Sequence, residues 1–97
     1  MSAAYYDRDG HEIDLSEWAA KLSNNRIART TIGDAEVSTV WVGLCHNNYR
    51  LVFETMIFGG PHGGEINRYS SELNALKGHI ATVEALAAGY RPHWVAQ

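Results

Sequence analysis

Ninety-seven residues with 45% hydrophobic and 20% charged content suffice for one folded domain and exclude a disordered chain. A formal charge of −3, with eight scattered Lys and Arg, provides no basic field for duplex DNA or RNA. The single cysteine rules out an internal disulfide, a zinc knuckle and a C-x-x-C redox pair, which fits a reducing, cytoplasmic setting.

The opening MSAAYYDRDG has neither a basic stretch nor an apolar run, so no signal peptide is expected, and no segment approaches the roughly 20 apolar residues of a membrane span. Residues 5–13 place Asp9-Gly10 between Tyr-rich and Ile-containing arms, the pattern of a short ribbon with a type I′ turn. Asp14, with Glu17 three residues on, is a capping-box start. Leu15, Trp18, Ala19 and Leu22 then recur at helical spacing.

Residues 26–32 read as a strand entering a tight Gly33-Asp34 turn. Residues 37–44 and 50–58 are rich in β-branched and aromatic side chains, and the intervening CHNNY reads as a hairpin loop. Pairing Leu44 with Leu51 and Ile32 with Ala35 divides the meander into two apolar faces. One carries Ile27, Val40, Val42, Phe53, Thr55 and Ile57. The other carries Val37, Thr39, Met56, Phe58 and a row of Arg26, Trp41 and Glu54 across three strands.

Gly59-Gly60-Pro61-His62-Gly63-Gly64 reads as a flexible connector and lacks the spacing of a phosphate-binding loop. Ser70 or Ser71 can cap a second helix, with Leu73, Leu76, Ile80, Val83 and Ala87 as its apolar stripe and Gly89 as its stop. The predicted fold is an α+β two-layer sandwich, one domain over residues 1–97, in the order ββαβββα. Its sheet is mostly antiparallel and both helices cover one face. The tail from Tyr90 on, with His93 and Trp94, is unusually aromatic for a terminus.

STVWVGL at 38–44, FETMIFGG at 53–60 and RYSSELNALKGH at 68–79, with DRDG at 7–10, resemble a family of small accessory proteins of actinobacterial phages and their hosts. The resemblance covers about half the chain and departs from the pattern at Cys45-His46. It implies host takeover or evasion of host defence and carries no activity with it.

The candidate ligand set is Arg26, Trp41 and Glu54, with Arg68 before the second helix and His46 in the hairpin loop. A guanidinium, a stacking plane and a carboxylate on one open surface suit a nucleotide-like ligand. The plainer alternative is an ion pair of Arg26 with Glu54, packed over Trp41 for stability. Five histidines show no H-x-x-x-H or H-E-x-x-H spacing, so no metal site is expected, nor any cofactor. Cys45 beside His46 does not make a nucleophile and base, and binding rather than turnover is expected.

Two functions follow as expectations: sequestration of a nucleotide-derived defence signal, or inhibition of a host defence protein by direct contact. A small hydrolase of such a signal is a distant third. An open patch of Val37, Trp41, Met56 and Phe58 implies a homodimer or higher homo-oligomer.

Overall fold

The computed structural model describes residues 4–45 and 50–92. His46, the hairpin loop around it and residues 93–97 lie outside the described residues. Strands β1 (Ala4–Tyr6) and β2 (Glu12–Ile13) lead to α1 (Leu15–Lys21), which ends in a 3₁₀ turn, Leu22–Asn24. Then follow β3 (Arg26–Ile32), β4 (Ala35–Trp41), β5 (Leu44–Cys45), β6 (Phe53–Phe58), β7 (Ile66–Tyr69) and α2 (Glu72–Ala87). The fold is α+β, with two antiparallel sheets ordered β2-β1-β5 and β3-β4-β6-β7.

Local chemistry sets the element ends. Asp14 Oδ1 accepts the Glu17 amide at 2.8 Å and starts α1. Ser71 Oγ does the same for the Asn74 amide at 3.1 Å and starts α2. The β1–β2 loop is not a two-residue I′ turn. Gly10 N–H bonds Asp7 O and the Asp7 amide bonds His11 O, so three residues form the loop and only Gly10 has positive φ. β7 is a strand that the expected ββαβββα order lacks, with Arg68 opposite Glu54 and Tyr69 opposite Phe53. A fifth strand, β5, leaves the meander to pair with β1. Cys45 therefore lies buried in β5 rather than in a loop.

Register is where the expectation and the fold part. Ile32 pairs with Ala35 as expected, and Ala28 with Thr39. Two bulges then shift the ladder by one. Val42 and Gly43 both donate to Val52 O, at 2.8 and 3.1 Å, so two residues of one strand oppose one of the other. The second bulge lies between Arg26 and Ala28. Trp41 consequently pairs with Phe53, while Val40 is flanked by Arg26 and Glu54.

The inner face of the large sheet carries Val37, Thr39, Trp41, Phe53, Thr55, Ile57 and Tyr69, all buried. α2 alone lies across it, touching β3, β4, β6 and β7, whereas α1 packs beside β1. Trp18 ties α1 down, with its indole N–H on Val42 O at 2.9 Å and its ring 5.0 Å from that of Tyr5.

α2 is turned over relative to the expected stripe. It buries Ala75, His79 and Thr82 and leaves Leu73, Leu76 and Ile80 exposed. The cause is close approach, since the Tyr69 ring occupies the space that a Cβ on Gly78 would need. A side chain at position 78 would hold the helix away from the sheet.

A polar layer fills the middle of this interface. His79 Nδ1 meets Thr39 Oγ1 at 2.8 Å and its Nε2 meets Thr30 Oγ1 at 2.9 Å, while Thr39 Oγ1 bonds Thr55 Oγ1 at 2.6 Å. Burial holds the His79 imidazole below its ordinary value of 6.5. Above that value neither the folded nor the unfolded chain carries the proton, so the full stability is present. As the pH falls below it, the unfolded chain takes up a proton that the folded chain refuses, and stability declines until the folded imidazole itself titrates. The urea midpoint should therefore fall between about pH 7.5 and 5.5, and His79→Gln should flatten that slope. An unchanged slope in the variant would place the titration elsewhere.

Candidate open-face binding surface

Side chains alternate across a strand, so burial of Trp41 and Thr39 sends Glu36, Ser38 and Val40 to the other face. By register that face has three rows: Thr31, Glu36 and Phe58; Arg29, Ser38, Met56 and Ile66; Arg26, Val40, Glu54 and Arg68. No described helix covers it. Phe58 is 50% exposed and Ile66 42%, beside half-buried Val40 and Met56. Two ion pairs border this apolar centre, Arg29 to Glu36 at 2.7 Å and Arg68 Nε to Glu54 Oε1 at 3.0 Å.

Three of the sequence-derived candidates thus share one row, Arg26, Glu54 and Arg68, and one does not. The two bulges shift both neighbours of β4 in the same sense, which exchanges Trp41 for Val40 between Arg26 and Glu54. Trp41 is 1% exposed on the inner face, with its indole N–H on Tyr6 O at 3.0 Å, and offers no stacking plane to a ligand there. The expected open patch of Val37 and Trp41 with Met56 and Phe58 is corrected with it, because Val37 is also buried. Glu54 is paired, though across β7 with Arg68 and not with Arg26, which makes no ion pair among the described residues.

A double-mutant cycle should therefore find Glu54 coupled to Arg68 by about 0.5–1 kcal/mol and to Arg26 by nearly nothing. The small figure reflects the solvent exposure of Arg68. Coupling to Arg26 instead would contradict the bulged register.

Other candidate chemistry is already used internally. The amides of Gly63, Gly64 and Glu65 donate to the carbonyls of Gly60, Ile57 and His62, so the glycine-rich loop has spent donors that an anion would require. His62 Nδ1 lies 3.0 Å from Glu65, which Arg91 also approaches at 3.5 Å. Asp7, Asp9 and His11 come together in the β1–β2 loop. There the Asp7 carboxylate accepts the amides of His11 and Asp9 at 2.9 and 3.0 Å, and the His11 amide foremost holds its pKa below the ordinary value. That cluster closes a turn.

A cleft of about 500 Å³ opens between this loop and the end of α1, lined by Asp7, Arg8, Lys21 and Asn24 among others. Arg8 spans it, donating to Asn24 O at 2.8 Å and approaching Glu72 at 3.8 Å. Of the candidate ligand residues only Trp41 reaches its lining. His46 falls outside the described residues.

The signal that could have found the bulge was Gly43, a glycine inside a strand pattern. It has φ +64, and the Trp41 ring sits where its Cβ would be. No family model, no curated protein and no solved structure matches this chain.

Proposed function

We propose that the protein works by binding another protein through the open face of its four-stranded sheet, and that it has no catalytic role. The carrying observation is an uncovered apolar centre of Val40, Met56, Phe58 and Ile66 framed by charged pairs. Uncovered patches of that kind on a folded chain mark interaction sites. An apolar core with a polar rim is also the anatomy of a protein interface, whereas a nucleotide site is concave.

The occupant is a protein with an apolar patch edged by carboxylates. Three arginines, Arg26, Arg29 and Arg68, stand on the face against two glutamates, Glu36 and Glu54, in a chain whose formal charge is −3. The face is thus cationic on an acidic protein. A second copy fits it poorly. Face-to-face packing about an axis along the strands sets Arg26 over Arg68, and about an axis across the strands it sets Arg29 over Arg29. In the phage setting implied by the resemblance, the partner is a host defence protein, met in the cytoplasm and blocked by occlusion. Among the described residues no helix is long and apolar enough to cross a membrane.

Sequestration of a nucleotide signal is the second reading, and the shared row of Arg26, Glu54 and Arg68 is what favours it. Native mass spectrometry of the chain recovered from cells with activated defence separates the two. A stoichiometric protein complex that Met56→Asp abolishes supports docking. An intact small nucleotide, released on denaturation and lost in Arg26→Ala, would replace docking with sequestration.

A further inference from the structure

The helix carries a second unpartnered surface, independent of the sheet face. Because α2 turns Ala75, His79 and Thr82 to the sheet, Leu73, Leu76 and Ile80 are 62%, 37% and 57% exposed, Val83 is half-buried and Ala87 exposed. These five residues alternate by three and four positions, the spacing of a coiled-coil seam. A single helix of 16 residues, about 24 Å long, cannot bury such a seam by itself.

We propose that this seam packs antiparallel against the same seam of a second copy, making a two-fold dimer. The seam is complementary to itself in that orientation. Ile80 then lies against Val83 of the second copy and Leu76 against Ala87, so a larger side chain meets a smaller one in each of these layers. The seam's outer flank carries Lys77 and Glu84, seven residues apart. Antiparallel pairing sets Lys77 of each copy beside Glu84 of the other, so both charges are matched twice. A parallel pairing would draw on the other flank, Glu72 and His79. Those already face Arg8, at 3.8 Å from Glu72, and Thr30 and Thr39 of the sheet.

Sedimentation velocity on the full-length chain across a wide concentration range tests this. A monomer–dimer equilibrium is expected. Ile80→Glu should weaken it at least about 30-fold, because it places a carboxylate at the centre of the seam. Lys77→Glu alone and Glu84→Lys alone should each weaken it by about 3- to 10-fold through like-charge contacts, and the double variant should return to the wild-type affinity. Met56→Asp, on the other surface, should leave it unchanged. All four positions are at least partly exposed, so each variant should retain the wild-type circular dichroism spectrum. A wild-type monomer at every concentration overturns the proposal, whether residues 93–97 or a different protein then covers the seam. So does a dimer indifferent to Ile80→Glu, or charge variants without mutual rescue.

Discussion

Trp41→Ala should lower the stability of this protein by about 3–5 kcal/mol, because it empties a fully packed site in the core and cuts a hydrogen bond between the two sheets. The indole is 1% exposed, packs with Val52, Phe53, Tyr69 and Ala75, and donates to Tyr6 O in the small sheet. Against a total of about 5–15 kcal/mol for a typical domain, that loss leaves little or none in reserve. Differential scanning calorimetry should show the midpoint falling by at least about 12 °C, or no cooperative transition at all. A midpoint within a few degrees of wild type would return Trp41 to the surface and restore it as a ligand platform.

Gly78→Ala is expected to destabilise, against the helical preference of the residue it introduces. Alanine in a helix interior is favoured over glycine by about 1 kcal/mol, so the substitution would stabilise an exposed helix. Here the new methyl meets the ring of Tyr69, which is 3% exposed and cannot withdraw into water. Overpacking of this kind costs about 1–3 kcal/mol, enough to reverse the sign. Tyr69→Phe should relieve it in part. The Tyr69 hydroxyl is buried with no hydrogen-bond partner among the described residues, so its removal should be nearly neutral alone and should reduce the effect of Gly78→Ala. Urea denaturation of the two single variants and the double measures all three. A Gly78→Ala chain more stable than wild type would show that α2 does not approach β7 as closely as described.

These two positions also show which parts of the fold were legible beforehand. The central strands, the Asp14 cap, the choice of Ser71 as a possible cap and the Ile32–Ala35 pairing rest on local chemistry, and local chemistry is what a sequence displays. A bulge is different. It depends on which residue across the ladder goes unopposed, and one such residue beside Gly43 moves Trp41 from a predicted open face to the core. The row of Arg26 and Glu54 survived because a second bulge compensated on the other side of β4, with Val40 taking the place of the indole.

The second helix shows a different limit. An apolar stripe normally faces the core, but α2 approaches the sheet so closely at Gly78 that Ala75, His79 and Thr82 are buried and the leucines are left outside. Nothing in the periodicity marks that inversion. The polar threonines at 30 and 39, which meet His79, were its faint sign. Strand β7 was missed because INRY is short and sits between a glycine-rich loop and a helix cap, although its alternation of Ile66 and Arg68 with Asn67 and Tyr69 fits a sheet.

Hydroxyl-radical footprinting of the chain, alone and in its captured complex, reads directly which face of the large sheet is free to meet a partner. Met56 and Phe58 should label in the free protein and be protected in the complex, while Trp41 labels in neither. Labelling of Trp41 in the free chain, with protection on binding while Met56 and Phe58 stay unchanged, would contradict both the register and the proposed docking face.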